Sequence, residues 1–258
     1  MATGKKEAAV SCVSCPAQYG ACMNGSTSER IVLVTGASRG IGRAAAIALA
    51  NDGAHVILVA RTVGGLEEAD DEIRKCGGSA SLVPLDLTNF AGIDQLGATI
   101  FERWGRLDGL LANAGELGVL APLAHLDPKV WQKSLDVNVT ANWRLVRSLD
   151  PLLRRSEAAR VLFVSSGAAR NFRPYWGSYS VAKAALEALA LTYAAECETT
   201  SICVNLFNPG PLRTRMRAKA MPGEDPLRLD PPEAVAPAIV HLLSPACTKH
   251  AELVSFRK

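Results

Sequence analysis

The stretch "RIVLVTGASRGIGRAAAIALA", Arg30 to Ala50, decides the fold. It opens with an unbroken apolar run, Ile31 to Val34, the pattern of a strand covered on both faces. Gly36, Gly40 and Gly42 follow, and an alanine-rich helical pattern begins at once. Glycine lets the backbone turn sharply and lets an anion approach without meeting a Cβ. The helix starting there offers free N–H groups and the positive end of its dipole to that anion. In isolation such a glycine spacing can be a packing turn. Between an apolar strand and a helix it marks a dinucleotide pyrophosphate site.

Working outward, the same alternation continues. "HVILVAR" (55–61), "ASLVPLDLT" (80–88), "RLDGLLANAG" (106–115), "RVLFVSSG" (160–167) and "ICVNLFNPG" (202–210) read as further strands, with a short last one at "ELVSF" (252–256). Helical patterns over 40–51, 64–76, 91–104, 128–150, 175–198 and 231–243 lie between them. Strand alternating with helix implies right-handed crossovers and a parallel sheet. The expected fold class is therefore α/β: a single doubly wound Rossmann domain over 30–258, its sheet flanked by helices. Residues 1–29 are expected to form a flexible leader.

Composition narrows the function classes. The chain has 258 residues, 48% hydrophobic and 21% charged, as an ordinary globular domain does. A net charge of +3 is too mild for nucleic acid or an anionic membrane as the main partner, and no apolar run is long enough to span a bilayer. The cysteine count is odd, seven, and Cys76, Cys197, Cys203 and Cys247 fall in expected elements or at their ends. That pattern suits reduced thiols and a cytoplasmic location. Cys12, Cys15 and Cys22 sit in the leader, where Cys-x-x-Cys lacks the further ligands a zinc site needs, so no metal is expected. Asn-x-Ser/Thr matches at Asn24 and Asn138 do not argue for secretion, the second lying inside an expected helix.

The end of the second strand selects the dinucleotide. NAD sites place a carboxylate there for the ribose 2′-hydroxyl. Here it reads Ala60 and then Arg61, and the glycine turn carries Arg39. Two guanidiniums can clamp a 2′-phosphate where a carboxylate would repel it, which favours NADPH/NADP+.

A second constellation lies in "GSYSVAKAALEALALTYAAE", Gly177 to Glu196. Tyr179 and Lys183 stand one helical turn apart on one face. A surface pair of amphipathic side chains would look the same. The alternative is that the ammonium lowers the phenol's pKa toward working pH and makes it a usable acid.

Taken together these motifs resemble the short-chain dehydrogenase/reductase family, over nearly all of residues 30–258. "TGASRGIG" is similar to its cofactor motif, with Gly36, Ser38, Arg39, Gly40, Ile41 and Gly42. The resemblance implies that Asp86, with Leu87 beside it in "LDL", meets the adenine. It implies that Asn113, Ala114 and Gly115 of "ANAG" border the cofactor, although the family's first Asn is Ala112 here. It implies catalytic roles for Asn138, Ser166, Tyr179 and Lys183, and in "NPGPLRT" a nicotinamide-side contact from Pro209, Gly210, Leu212 and Thr214. A narrower resemblance, through "PGPLRTRMRAKAMPGEDPLRL", is to the YciK-like bacterial short-chain oxidoreductases.

The resemblance implies hydride transfer between nicotinamide and a small-molecule carbonyl or secondary alcohol. Tyr179 would exchange the proton, Lys183 would also hold the nicotinamide ribose, Ser166 would hold the substrate oxygen, and Asn138 would keep a water in line with Lys183. A non-catalytic NADP(H)-binding sensor on the same fold stays open. So does the substrate. Glu116, Leu117, residues 169–177 and the loop 212–229 are its candidate walls. Arg213, Arg215, Arg217, Lys219 and Arg228 in that loop make either a solvated lid or an anion site. A homodimer or homotetramer built on the long helices is a family expectation.

Overall fold

A computed structural model describes residues 29–256. The leader and its cysteines, with Asn24, lie outside the described residues apart from Glu29.

Among the described residues seven parallel strands form one sheet in the order β3-β2-β1-β4-β5-β6-β7. They are β1 (Arg30–Thr35), β2 (Ala54–Ala60), β3 (Ser79–Pro84), β4 (Gly109–Ala112), β5 (Arg160–Val164), β6 (Cys203–Asn208) and β7 (Leu253–Ser255). In register, Val32 of β1 lies between Val56 of β2 and Gly109 of β4. The chain builds outward from β1 in one direction and from β4 in the other. That reversal leaves a crevice beyond the carboxyl ends of β1 and β4, where ligands bind in sheets of this kind.

The unbroken apolar runs are explained by two cores. Ile31 and Leu33 of β1 enter one cluster, while Val32 and Val34 enter the other. Strands β2, β4 and β5 divide in the same way, because successive side chains point to opposite faces. The first core is closed by α3 (Phe90–Trp104), α5 (Ala141–Leu153) and α7 (Gly177–Cys197). The second is closed by α1 (Gly40–Asn51), α2 (Val63–Lys75) and α9 (Ala236–Leu243). Burying one such Leu or Ile contributes about 1.5–3 kcal/mol, so either face left bare would unfold the sheet.

The structure departs from the sequence reading in five places. The helix expected over 128–150 is α4 (Pro128–Leu135) and α5, joined by a π-turn at Asp136–Thr140. Residues 231–243 begin as a 3-10 turn, Pro232–Val235, before α9, since Pro231 and Pro232 cannot supply helical N–H groups. Two short helices were not expected from periodicity, α6 (Ala168–Asn171) and α8 (Arg215–Ala220). Cys247 lies past the end of α9, buried against the second core.

Candidate active site

The first turn is built by glycine. Gly36 closes β1 at φ +67°, and its N–H donates to the carbonyl of Val59 at 2.8 Å, folding the turn over β2. A Cβ on Gly42 would fall 2.3 Å from the Gly36 carbonyl oxygen, so α1 starts as close to β1 as a backbone can. Helix α1 has no side-chain cap, which leaves its first N–H groups facing the crevice. Ser38 packs against α2, where a Cβ on Gly65 would meet its own at 2.8 Å. Ile41 is partly buried against the second core.

Arg39 and Arg61 are exposed at the end of this crevice. Arg61 lies 3.8 Å from Asp86, the residue expected to meet adenine. Burial pushes the Asp86 carboxyl up, but hydrogen bonds from the Thr88 N–H and hydroxyl, with Arg61 and Lys133, outweigh it and leave the group below its ordinary value. Leu87 turns its side chain into the first core. Asn113 donates through Nδ2 to the Thr35 carbonyl at 2.9 Å, making its side chain a strut beneath the glycine turn. The Ala114 N–H donates to Thr35 Oγ1 at 3.0 Å.

At the other end of the crevice the expected catalytic residues converge. Tyr179 and Lys183 are buried on α7. Ser166, just past β5, accepts from the Ala168 N–H at 3.2 Å and hydrogen-bonds the Tyr179 phenol. Asn138 sits at the centre of the π-turn and is fully buried. Its Nδ2 donates to the carbonyls of Ser134 at 2.8 Å and Glu116 at 2.9 Å, and its Oδ1 accepts from the Glu116 N–H at 3.2 Å. A Cβ on Gly115 would lie 3.1 Å from Asn138 Oδ1 and 3.6 Å from Lys183 Nζ, so a glycine is what keeps that space open.

One electrostatic expectation is corrected. Burial pushes the Tyr179 phenol above its ordinary value, and only the hydrogen bond to Ser166 opposes the rise. Lys183 Nζ donates to the Val164 carbonyl at 2.8 Å and stands 5.8 Å from the centre of the phenol ring. Burial in turn lowers Lys183 to about 8, opposed by Glu187.

Of the two readings left open for the lid loop, its pairings favour the charged lid. Arg217 is held by Glu224 at 2.5 and 2.6 Å, Lys219 donates to the Gly118 carbonyl at 3.0 Å, and Arg228 lies 3.8 Å from Asp225. Arg217 and Arg228 are thus paired within the loop and Lys219 reaches outside it, while Arg213 and Arg215 are exposed. The wall that faces Tyr179 is apolar instead. Leu117 and Ala220 pack with it, joined by Leu120, Ala168, Trp176, Met216 and Met221. Pro209 is buried and Gly210 turns at φ +68° just past β6. Leu212 points into the second core, and Thr214 caps α8 by accepting from the Arg217 N–H at 3.2 Å.

Sequence reasoning missed Glu187, which is buried one turn beyond Lys183 and accepts from Ser165 at 2.6 Å and Arg170 at 3.0 Å. Its signal was available in the spacing, since 179, 183 and 187 share one helix face. Among the described residues no cluster of His, Cys, Asp or Glu could hold a metal ion, and no helix is long and apolar enough to cross a membrane.

A glycine-walled crevice ending at half-buried Ser166 and buried Tyr179, Lys183 and Asn138 defines the class of protein. The family model for short chain dehydrogenases matches residues 30–225, and the chain belongs to that family of oxidoreductases. It is 40% identical over 219 residues to the uncharacterized oxidoreductase YciK of Escherichia coli strain K12, covering 84% of this chain and 86% of that one. It also resembles a short chain dehydrogenase from Escherichia coli CFT073 solved with NADPH, at TM-score 0.85, 39% identity, and 89% and 97% coverage of the two chains. A third relative, from Shigella flexneri 2a strain 301 and solved with NADP, gives TM-score 0.84, 38% identity, and 88% and 96% coverage.

Proposed function

We propose that the chain is an NADP(H)-dependent reductase of small-molecule carbonyls, or the matching alcohol dehydrogenase in reverse. The observation that carries this reading is the buried Tyr179 phenol, hydrogen-bonded to Ser166 and one turn from Lys183, at the end of a dinucleotide crevice. The cofactor assignment is supported by the two relatives solved with NADP and NADPH. It is supported as well by exposed Arg39 and Arg61 where a 2′-phosphate would lie. Asp86, with the Leu87 backbone, borders the adenine. The backbone of Asn113, Ala114 and Gly115 lines the centre, and Pro209, Gly210, Leu212 and Thr214 line the nicotinamide side.

When bound, NADPH supplies the hydride. Tyr179 gives its proton to the carbonyl oxygen, and its raised pKa keeps that proton in place at neutral pH. Ser166 donates a hydrogen bond to the same oxygen as charge develops on it. Lys183 is close enough to the open side of Gly115 to hold the ribose, and Asn138 keeps the Ser134 and Glu116 carbonyls in order behind it. The apolar wall of Leu117, Trp176, Met216 and Met221 favours a carbonyl with an apolar substituent over an anionic one.

Helices α5 and α7 expose Trp143, Val181 and Leu191, which supports a homo-oligomer. Cys76, Cys197, Cys203 and Cys247 are all unbridged, which supports a cytoplasmic location.

The test is NADPH consumption across a panel of aliphatic, aromatic and carboxylated ketones and aldehydes. Turnover should concentrate on the uncharged members. Tight NADPH binding with no turnover on any of them would favour a cofactor-binding sensor.

A further inference from the structure

Glu187 is a carboxylate only 8% exposed on α7. An enclosed charge is costly unless paired and hydrogen-bonded. Here Oε1 accepts from Ser165 at 2.6 Å and Oε2 accepts from Arg170 at 3.0 Å. Ser165 is the last residue before Ser166, and Arg170 belongs to the short helix α6 that Ser166 opens. On the other side, Lys183 lies one turn back along α7, itself 3% exposed.

We propose that Glu187 is a positioning residue for this site, an enclosed anion that holds Lys183 as an ammonium and pins Ser165, and with it Ser166, against α7. The inference rests on the reading of Lys183 and Ser166 as site residues.

The groups around Lys183 leave Glu187 as its counter-charge. Tyr179 on the same helix is a neutral phenol at working pH, and from β5 comes only the carbonyl of Val164, at 2.8 Å. From the π-turn comes the uncharged amide of Asn138, and the Glu116 carboxylate after β4 accepts from the Gly118 N–H at 3.2 Å. Burial pulls Lys183 down and Glu187 is what raises it. The guanidinium of Arg170, its side chain 58% exposed, shares the same carboxylate and so partly cancels its field at Lys183.

That sharing gives two variants with opposite signs. Glu187→Gln keeps the hydrogen-bonding shape and removes the charge, so the Lys183 titration should move down by about one pH unit. Arg170→Met leaves the carboxylate uncancelled, so the titration should move up. The measurement is an NMR titration of lysine side chains in the protein alone, with the Lys183 signal assigned by its loss in Lys183→Met. A purely structural role predicts either no movement or the same direction in both variants, and either result overturns the proposal. If Glu187→Gln does not fold, Arg170→Met decides: an upward shift supports the inference and no shift overturns it. Because the readout needs neither cofactor nor substrate, a silent ketone panel would count against the reductase reading and leave the Glu187 result standing.

Discussion

Lys183 donates through Nζ to the Val164 carbonyl at 2.8 Å, from a side chain only 3% exposed. That single hydrogen bond ties the helix carrying Tyr179 to the strand end that leads into Ser166. It holds an ammonium in a place from which water is largely excluded, and burial lowers the group to about 8.

A stability signature follows. Between about 8 and the ordinary value of 10.5 the unfolded chain holds a proton on Lys183 that the folded chain has released. Stability should therefore rise with pH across that window, the cost of the charged form being fully present below it. Above about pH 10 the direction reverses, because buried Tyr179 stays protonated while the unfolded phenol ionises. Urea midpoints measured from pH 7 to 10 should rise for the wild type relative to Lys183→Met. Equal slopes in the two proteins would remove the buried-ammonium account.

The paired arginines predict cofactor preference. One charged phosphate clamp contributes about 1.5–3 kcal/mol, so NADPH should bind at least ~10-fold more tightly than NADH. Arg39→Ala with Arg61→Ala should erase most of that preference in a fluorescence titration. Arg61 also lies 3.8 Å from Asp86, so the double variant frees that carboxylate beside the cofactor. NADPH should then bind more weakly still, by repulsion. Unchanged affinity for both dinucleotides would remove the clamp.

The glycine turn predicts a steric effect. At Gly42 an added Cβ would sit 2.3 Å from a backbone oxygen of Gly36, and backbone cannot swing away as a side chain can. Gly42→Ala should push α1 off β1, weaken cofactor binding at least tenfold and lower the melting temperature by several degrees. Gly210→Ala is the control for space, since nothing lies within 4 Å of its added Cβ, though φ +68° still strains it. A Gly42→Ala protein that binds as the wild type does would mean the turn has slack.

Much of this was legible in the sequence, for a physical reason. Covered strands need unbroken apolar runs, and Ile31–Val34 or Val161–Val164 can satisfy two cores only in a parallel sheet. Glycine positions are legible because φ +67° at Gly36 tolerates little else. What stayed hidden depends on three-dimensional neighbours. The π-turn at Asn138 interrupts no hydrophobic period, because its freed carbonyl is met by Asn142 Nδ2 at 2.9 Å, a partner one turn away in an unremarkable helix. The choice between a solvated lid and an anion site depends on Glu224 and the Gly118 carbonyl, which hold Arg217 and Lys219. The upward direction of the Tyr179 shift comes from burial, which the spacing of Tyr179 and Lys183 does not show.

The proton donor gives the sharpest test. Tyr179→Phe keeps the ring against Trp176, whose centre lies 6.1 Å away, and keeps the apolar wall intact while removing only the hydroxyl. The Ser166 hydroxyl loses one partner but keeps the Ala168 N–H, so folding should change by less than about 1 kcal/mol. Turnover on any carbonyl found in the panel should fall by roughly 10²–10⁴, the range for losing a general acid. Ser166→Ala should cost less and should raise the pH at which Tyr179 ionises, since the bond that favours the phenolate is gone. The two variants therefore separate proton donation from oxygen orientation: one abolishes the ionisation seen in the rate profile, and the other displaces it. A Tyr179→Phe protein that folds, binds NADPH and turns over at the wild-type rate would make the phenol a packing residue and end the reductase mechanism as drawn.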